Sequence, residues 1–407
     1  MSKPEKKGLV PELRFPEYQD NGGWDENKLS ELVTTVTPPK KLPTNLYQAV
    51  GLYPIIDQSQ SNICGWTNDK ESLISDNFPL IIFGDHTCIL KIAREPFAQG
   101  ADGIKILKAK DQVEAEFLYQ ALQVKPVVME EYKRHFSILK ERIVGFPKKE
   151  SDEQQKIADC LASIDELITA QSQKLDALKS HKKGLMQQLF PAEGETVPKL
   201  RFPEFLDKGE WSSEKFGEIC KFVRGPFGGA LKKDIFAKEG YAVYEQSHAI
   251  YENFDDFRYY ITKEKYDELK RFAVKSNDLI MSCSGTMGKF AVVPSPHKEG
   301  VINQALLKLT VKKGYNLNFI KSTLEHPLNQ ESLLSQSAGG AIKNVVGVEQ
   351  LKEIVLPIPS LQEQQKIADC LTSVDELISN QAKKVEALKV HKKGLMQQLF
   401  PAVDEAG

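Results

Sequence analysis

The sequence predicts an α+β protein in which two mixed α/β domains are joined by two long antiparallel helices. Two observations support this prediction: a segment of forty residues occurs twice, and the regions between the copies alternate strand-like and helix-like patterns. Residues 153–192 and 363–402 align without gaps and are identical at 31 of 40 positions, including the final HKKGLMQQLFPA. A repeat that contains no acid–base pair, metal-ligand spacing or glycine-rich phosphate loop indicates a structural role used twice.

The composition is typical of a soluble globular protein. The chain has 407 residues, of which 41% are hydrophobic and 27% charged, and its formal net charge is −2. This length favours two or three domains, and the longest apolar runs are too short to span a bilayer. Six dispersed cysteines without a CxxC pair, and no secretory signal, favour reduced thiols in the cytoplasm. The near-neutral charge excludes a polycationic nucleic-acid coat, so DNA binding would need a local basic surface or a partner.

Two shorter repeats accompany the long one. VPELRFPEYQDNGGW (10–24) recurs as VPKLRFPEFLDKGEW (197–211), and LKERIVGFP (139–147) resembles LKEIVLPIP (351–359). The segment that follows the first long copy therefore has its counterpart at the N-terminus of the chain. Joining residue 407 to residue 1 would give two similar modules in a ring. The sequence thus predicts a circular pseudo-two-fold arrangement with neighbouring termini.

Each long copy is predicted to be a helix that packs through a heptad seam. Apolar residues alternate at steps of four and three for about five heptads, as in a coiled coil. Ser151 with Gln154 has the spacing of a capping box at the helix start. Ser360 with Glu363 repeats that spacing, and a proline ends each copy. The first seam comprises Ile157, Leu161, Ile164, Ile168, Gln171, Leu175, Leu178, Leu185 and Leu189; the second comprises Ile367, Leu371, Val374, Ile378, Gln381, Val385, Leu388, Leu395 and Leu399.

Polar residues interrupt each seam at two places. Gln171 and Gln381 are the first pair, and a polar seam residue fixes the register and orientation of a coiled coil. Because the ring symmetry makes the helices antiparallel, we expect these glutamines to meet near the two-fold axis, with Leu185 opposite Ile367. The second pair belongs to the HKK triplets, which could serve as interface or phosphate contacts or could extend along the edge of the core. That pair is Lys182 and Lys392.

The predicted division is a first domain (1–150) that includes the segment closing the ring, a first helix (151–190), a second domain (191–361) and a second helix (362–402). Outside the short repeats the two domains do not resemble each other in sequence. Strands are predicted at PLIIFGDHTCILKI, ADGIKILKA, YAVYEQSHAIY, DLIMSCSG, KFAVVPS and QALLKLTVK, and helices at QVEAEFLYQAL, TKEKYDELKRF and LNFIKSTLEHPL.

The arrangement resembles the specificity subunit of type I restriction–modification systems. The resemblance covers nearly the whole chain and lies in two unlike domains, two near-identical helices that each begin with EQQKIA, and the circular order of the repeats. Further matching stretches within the domains are IIFGDHTC, FAQGADGIKIL, VRGPFGG, DLIMSCSGTMGKFAVV and INQALLKL.

The resemblance implies that each domain is a target recognition domain that reads one half of a bipartite DNA sequence. It further implies that the helices set the spacing and dock the methyltransferase subunits, usually two, and that endonuclease–translocase subunits join the complex. This chain would carry no catalytic residues or metal, and S-adenosylmethionine, ATP and Mg²⁺ would belong to its partners. Half-sites one helical turn apart would leave roughly 6–7 unread base pairs. Since the domains differ, we expect an asymmetric target and modest affinity without partners.

Base reading requires polar side chains on loops that face the groove, with Lys and Arg on phosphates. The alternative for each such residue is a solvated loop position. The first domain supplies Gln58, Ser59, Gln60, Asn62, His86, Thr87 and Lys91, and the second supplies Arg224, Lys232, Lys233, Gln246, Ser247, His248, Thr286 and Lys289.

Other chemistries have weaker support. GPFGG (225–229) is better explained as a turn than as a cofactor loop. Cys283 in SCSGT has no identifiable base. Cys64, His86 and Cys88 lack a fourth ligand at metal-site spacing.

We also consider two alternative functions: a coiled-coil adaptor whose domains bind proteins, and a self-contained enzyme. Because the frame is duplicated, a fragment ending at residue 192 is expected to form a symmetric dimer that reads a palindromic target.

Overall fold

The structure is a computed structural model that describes residues 9–130, 134–227, 229–338 and 347–402. The chain divides into two compact units. The first unit contains Met1–Gln173 together with Ala382–Gly407, and the second contains Lys174–Gln381. Each unit therefore combines one recognition-type domain with parts of both long helices. No helix in the described ranges has the length and apolar character needed to cross a bilayer.

In the described ranges, the first unit contains ten strands and three short α-helices before the first long helix. The strands are β1 (Asp25–Lys28), β2 (Val33–Val36), β3 (Tyr53–Ile56), β4 (Gly65–Thr67), β5 (Leu73–Ile74), β6 (Leu80–Gly84), β7 (Leu90–Ala93), β8 (Phe97–Gln99), β9 (Ile104–Ala109) and β10 (Ile143–Phe146). The helices are α1 (Leu29–Leu32), α2 (Ala115–Val124) and α3 (Phe136–Lys140), followed by the long helix α4 (Glu153–Leu189).

The second unit repeats this order with changes in detail. Its strands are β11 (Ser212–Lys215), β12 (Cys220–Arg224), β13 (Tyr241–Tyr244), β14 (Tyr260–Ile261), β15 (Leu279–Ser282), β16 (Phe290–Val292), β17 (Gly300–Ile302), β18 (Leu306–Val311) and β19 (Val355–Ile358). Its helices are α5 (Phe216–Ile219), α6 (Gln246–Tyr251), α7 (Lys263–Glu268), α8 (Leu317–Glu325), α9 (Pro327–Ala338) and α10 (Val348–Lys352), before the long helix α11 (Leu361–Leu399).

The two domains share one strand topology although their sequences differ. The first has a sheet in the order β2-β9-β6-β7, and the second has the equivalent order β12-β18-β15-β16. A further sheet is built around β3 in the first domain and around β13 in the second. In each, this strand pairs in parallel with one neighbour, β8 or β17, and antiparallel with another, β4 or β14. The dissimilar domain sequences thus adopt the same architecture.

A two-stranded frame sheet links the start of each domain to its end. β1 pairs antiparallel with β10, so that Asp25 lies opposite Phe146. β11 pairs in the same way with β19, so that Ser212 lies opposite Ile358. β10 and β19 lie within the short repeats 139–147 and 351–359, and β1 and β11 directly follow the repeats 10–24 and 197–211. The frame sheet brings the two chain ends of each domain together beside a long helix.

Both long helices are continuous. Within each unit, the segments of the two helices that contact each other run antiparallel. In the second unit, Lys182 Nζ lies 2.8 Å from Asp375 Oδ2. Leu185 packs against the cluster that contains Ile367. The residue numbers along α11 therefore decrease as those along α4 increase. The first unit repeats this geometry, with Lys392 Nζ 2.7 Å from Asp165 Oδ2. The predicted long helices and their antiparallel direction are therefore confirmed.

The seam residues are all buried or half-buried, as a packed heptad stripe requires. Lys182 and Lys392 are ion-paired at the edge of this stripe, which agrees with the core-edge alternative. Gln171 belongs to the first unit and Gln381 to the second, so their meeting at a two-fold axis stays a prediction.

The main core of each unit lies between the larger sheet and the helices. In the first unit Phe117 of α2 and Phe400 are 5.3 Å apart, ring centroid to ring centroid. In the second unit Phe319 of α8 and Phe190 are 5.5 Å apart. Phe190 and Phe400 come from the identical LFPA ends of the long repeats. Each long helix therefore places its C-terminal end in the core of one domain.

The structure corrects three local predictions. YAVYEQSHAIY is not one strand but β13 followed by α6, because Glu245 and His248 form a capping box that starts a helix. PLIIFGDHTCILKI is a hairpin of β6 and β7 rather than a single strand. The predicted capping boxes of the long helices are incomplete: Ser360 Oγ accepts from the Glu363 amide at 3.4 Å, but the Glu363 side chain bonds elsewhere.

In the first long helix, Ser151 Oγ accepts from the amide of Glu153 rather than Gln154. The N-terminal segment nevertheless contacts the far end of the chain, since the Leu13 amide donates to Gln398 O at 2.9 Å. The matching bond, Leu200 to Gln188, has the same length. The circular order of the repeats is thus reproduced, while the terminal residues 1–8 and 403–407 lie outside the described residues.

Candidate nucleic-acid interface

A buried ion pair attaches each LRFPE repeat to the start of a long helix. In the first unit the Arg14 guanidinium forms a two-pronged pair with the Glu153 carboxylate, with both N–O distances 2.7 Å. The Trp24 indole donates to the same carboxylate at 3.3 Å. Bidentate pairing and a third donor compensate the cost of burying Glu153. We call this set the first clamp.

The second unit contains an equivalent second clamp. Arg201 pairs with Glu363 at 2.7 and 2.8 Å, and the Trp211 indole donates to Glu363 at 3.2 Å. The two clamps thus explain the LRFPE, W and EQQKIA repeats as parts of one contact. Sequence reasoning found the repeats but missed that they bind each other. The signal available in the sequence was an arginine in one repeated segment and a glutamate in the other.

The glutamine after each clamp glutamate fixes the helix start to the domain. Gln154 Nε2 donates to Pro147 O at 2.7 Å and to Gln112 O at 3.1 Å, and its Oε1 accepts from the Glu114 amide at 2.7 Å. Gln364 uses both ends of its amide in the same way, at 2.9 Å each, to Pro359 and Asn316. Each recognition-type domain is therefore held to its frame by fully bonded side chains.

In the first domain, three loops meet beyond the strand ends. We define the first loop cluster as residues 57–62, 85–88 and 100–103. Thr87 Oγ1 donates to Gln58 O at 2.8 Å, joining the first two loops. Gln58 Nε2 reaches Asp102 O at 3.4 Å, which joins the third loop. The cluster therefore gathers polar side chains that are distant in the sequence.

Gln58, Ser59, Thr87 and His86 are half-buried in this cluster, whereas Gln60 and Asn62 are exposed. A basic side chain also lies at its edge, because Lys41 Nζ pairs with Asp102 at 2.6 Å. Lys41 was not among the predicted site residues. The structure therefore brings six of the seven predicted residues of this domain to one polar surface.

The seventh, Lys91, is a correction. It is 4% exposed, and its ammonium group donates to Asp57 O at 2.7 Å and Ser61 O at 2.5 Å. Burial lowers the pKa of Lys91. Because its donors are used inside the protein, Lys91 supports the 57–62 loop instead of presenting a charge to phosphate.

The second domain has a corresponding second loop cluster, defined as residues 225–227, 245–248, 283–288 and 303–305. The Asn303 amide donates to Tyr244 O at 2.9 Å, and the Cys283 amide donates to Ala305 O at 2.8 Å. A Cβ at Gly225 would lie 1.8 Å from Asn303 O, so only glycine permits this approach. The four loops therefore form one surface.

A cavity of about 510 Å³ opens in the second loop cluster and is lined by Gln246, Ser247, Phe257, Arg258 and Asn303, among others. Arg258 and Asn303 were not predicted. The Arg258 guanidinium lies 4.6 Å from the Tyr259 ring centroid, which leaves its donor edge available. The FDDFRYY stretch, an arginine between aromatic residues, was the signal that could have indicated it.

The predicted residues of the second domain fall into three groups. His248 is a correction: it is 4% exposed, and its ring nitrogens contact Glu245 and the Asp256 carbonyl, so it caps α6. Gln246 and Arg224 are half-buried. The exposed group comprises Lys232, Lys233, Ser247, Thr286 and Lys289.

Both clusters contain buried polar atoms without a hydrogen-bond partner. Among the described residues, these atoms are Gln58 Oε1 and Ser59 Oγ in the first cluster and Gln246 Oε1 in the second, with Arg224 Nη1 directly before the second cluster. An unsatisfied buried polar group costs about 1–3 kcal/mol. At a loop surface, a bound ligand is one way in which such an atom can complete its hydrogen bonding.

Covalent catalysis at the cysteines is disfavoured by their surroundings. Burial raises the pKa of Cys283 and of Cys64 to about 11, which keeps both thiols protonated near neutral pH. In the part of the chain that the structure describes, no three His, Cys, Asp or Glu side chains group as metal ligands. In GPFGG, Phe227 is 91% exposed, and Gly228 lies outside the described residues.

A family model and the similar proteins found by comparison describe the same kind of protein. The family described as "Type I restriction modification DNA specificity domain" matches residues 208–390. The type I restriction enzyme MjaVIII specificity subunit of Methanocaldococcus jannaschii is 20% identical over 95% of this chain and 93% of its own length. The putative MjaX specificity subunit of the same organism is 25% identical over 61% of this chain. In that comparison the chain spans 56% of the relative's length.

Solved structures show the same fold. The S subunit of a type I restriction–modification system from M. genitalium superposes with a TM-score of 0.65 at 17% identity, covering 97% of this chain and all of the other. A second chain, from a study of complex assembly in a type I system, gives a TM-score of 0.53 at 16% identity, covering 93% of this chain and 98% of that one.

Proposed function

The chain belongs to the family of specificity subunits of type I restriction–modification systems, and on that premise we propose that it reads a bipartite, asymmetric DNA sequence. The observation that supports this most directly is the paired architecture. Two domains of one topology each carry a polar loop cluster, and each is attached to the frame by the same clamp. Unlike side chains on matched scaffolds suit the reading of two different half-sites.

The chemistry of the loop clusters suits base edges and phosphates. Gln and Arg side chains can each make two hydrogen bonds to a base in the major groove. The exposed lysines of the second domain, Lys232, Lys233 and Lys289, suit phosphate contacts. Since the net charge of the chain is −2, affinity would depend on partner subunits that complete the basic surface.

The partner subunits would supply the chemistry of the complex. We expect two methyltransferase subunits docked on the long helices, with endonuclease–translocase subunits joining them in the cytoplasm. S-adenosylmethionine, ATP and Mg²⁺ would bind to those partners. Support from this chain is that its buried thiols are protonated and that its repeated helices offer two similar docking surfaces.

The long helices would act as a ruler between the half-sites. Helix α4 has 37 residues and α11 has 39, which at about 1.5 Å per residue gives lengths of roughly 55–60 Å. Adding one heptad to both helices preserves the seam and lengthens each by about 10 Å. Since one base pair of B-DNA spans about 3.4 Å, we expect the unread gap in the target to grow by about three base pairs.

The test is to express the chain with its cognate methyltransferase subunits and sequence the modified bases of the host genome. We expect one split, asymmetric motif with a fixed gap, and a longer gap for the heptad insertion. A continuous motif would contradict the proposal. So would methyl transfer from S-adenosylmethionine to DNA by this chain without partners, which would support the self-contained enzyme instead.

A further inference from the structure

The same three-residue pattern follows the same strand in both domains. Asp57-Gln58-Ser59 comes directly after β3, and Glu245-Gln246-Ser247 comes directly after β13. The residue before each pattern is fixed by an equivalent bond: Ile56 O accepts from the Gly100 amide, and Tyr244 O accepts from the Asn303 amide, both at 2.9 Å. The two glutamines therefore occupy equivalent positions in otherwise dissimilar domains.

The local structures that hold the two glutamines are different. In the first domain Asp57 Oδ1 accepts from the Ser59 amide at 2.9 Å, which forms a tight loop. In the second, Glu245 caps a helix that begins at Gln246. Because Asp57 and Glu245, and not the glutamine side chains, make the bonds that form these two turns, the shared residue points to a shared external contact.

Both glutamine side chains have an unused amide oxygen. Oε1 of Gln58 and Oε1 of Gln246 are buried, and neither has a hydrogen-bond partner among the described residues. Gln58 Nε2 has only a long contact of 3.4 Å to Asp102 O. Turning either side chain outward would therefore break few good hydrogen bonds, and a donor on a ligand would satisfy an acceptor that the protein leaves unpaired.

The chain itself shows what a structural glutamine looks like. Gln154 and Gln364 also occupy equivalent positions, but both use the oxygen and the nitrogen of the amide in bonds of 2.7–3.1 Å. The contrast separates these two frame glutamines from Gln58 and Gln246, whose amide oxygens are unpaired at a loop surface.

We propose that Gln58 and Gln246 are equivalent base-reading residues and that each reads an adenine in its own half-site. This inference rests on the proposed function. An adenine offers an amino donor and the N7 acceptor on its major-groove edge, which match the amide oxygen and nitrogen of glutamine. Cytosine could satisfy the oxygen alone, so adenine is the base that uses both ends of the side chain.

The experiment uses the full chain assembled with its cognate methyltransferase subunits and compares the methylated motif for wild type, Gln58→Ala and Gln246→Ala. The matched control is Gln19→Ala, which changes an exposed residue in the short repeat 10–24. We expect Gln246→Ala to relax one A·T position in one half-site, by about tenfold to a hundredfold in discrimination. Gln58→Ala should relax one A·T position in the other half-site, and the control should change nothing.

Thermal unfolding of the same variants separates reading from support. Because the two oxygens are unpaired in the free protein, both alanine variants should unfold within a few degrees of wild type. A large loss of stability, an unchanged motif in both variants, or relaxation at G·C positions would overturn the inference. These outcomes presuppose a split motif for wild type; its absence would instead refute the proposed function.

Discussion

At the scale of single residues, the clamps show how a duplicated sequence signal becomes a duplicated contact. Arg201 and Glu363 are 5% and 1% exposed at their side chains, and Arg14 and Glu153 are 7% and 1% exposed. A charge left unpaired at such depth is costly because protein surroundings solvate it poorly. The clamps should therefore be sensitive to the loss of either partner.

We expect Arg201→Ala to lower the free energy of unfolding by about 3–5 kcal/mol, because it leaves the Glu363 carboxylate buried with the Trp211 indole as its one remaining side-chain donor among the described residues. Arg14→Ala should have a similar effect in the first unit. Urea denaturation followed by tryptophan fluorescence measures this. The exposed pair of Lys215 and Glu353 provides the control: Lys215→Ala should change stability little. Equal effects of Arg201→Ala and Lys215→Ala would contradict the assigned role of the clamp.

Site residues were only partly predictable from the sequence. Polar side chains near strand ends indicated loops that the structure brings together, among them those that contain Gln58 and Gln246. Lys91 and His248 were wrong because a sequence does not show that a side chain turns inward and bonds to the backbone. Arg258 and Asn303 were missed because they reach the second loop cluster from distant segments. Loop convergence depends on tertiary structure, which residue type alone does not reveal.

At the scale of elements, the long helices were the most predictable part of the chain. Their heptad spacing is local information, and it gave their existence, extent and buried face. The shared topology of the two domains was not predicted, since strand order depends on pairings between distant residues such as Ile81 with Leu107 and Leu279 with Leu309. The hairpin at β6 and β7 was missed because no glycine–asparagine turn marks it.

The seam gives a matched pair of helix variants. Leu371 is 1% exposed and packs in the core of the second unit, whereas Leu377 on the same helix is 55% exposed. We expect Leu371→Ala to cost about 2–5 kcal/mol of stability through lost contacts and a residual cavity. Leu377→Ala should have little effect on the isolated chain, and denaturant titration would compare the two. Similar losses for both variants would be inconsistent with the assigned buried face.

A buried histidine after α8 should make the second unit sensitive to acid. His326 is 6% exposed, its Nε2 has no hydrogen-bond partner in the described part of the chain, and its ring centroid lies 5.4 Å from that of Phe190. Burial lowers the pKa of His326 from its usual 6.5. The unfolded chain therefore binds a proton at this histidine more readily than the folded chain does. The free energy of unfolding should consequently decrease as the pH falls below about 6.5.

We expect His326→Gln to reduce the loss of stability between pH 7 and pH 5, as measured by urea denaturation at a series of pH values. The control is His391→Gln, which changes an exposed histidine in α11. Its pH dependence should follow that of wild type. Parallel curves for wild type and His326→Gln would show that this histidine does not contribute to acid sensitivity.

At the scale of the whole molecule, each unit is assembled from distant parts of the chain. The first unit requires residues from Ala382 onward, and the second includes the last part of α4 from Lys174. The sequences 181–192 and 391–402 are identical, so one copy has the side chains needed to replace the other. The predicted self-association of a half-length fragment follows from this identity.

We expect a fragment of residues 1–192 to form a symmetric dimer in which residues 181–192 of each copy fill the place of 391–402 in the other. Sedimentation equilibrium measures the association, and methylome sequencing with partner subunits should give a palindromic split motif. Leu189→Asp within the fragment should abolish dimerisation, because it places a charge in the exchanged core contact. A stable monomeric fragment would contradict the expectation.

The exchange of helix ends indicates how the protein would respond to a cut in its backbone. Residues 193–196, between α4 and the second clamp, are exposed and form a turn suited to protease cleavage. A cut there would yield two polypeptides of similar size, but each would keep its C-terminal helix end within the core of the other. The pieces would therefore remain interlocked through two hydrophobic cores, and a protein encoded as two separate half-length polypeptides could assemble in the same way.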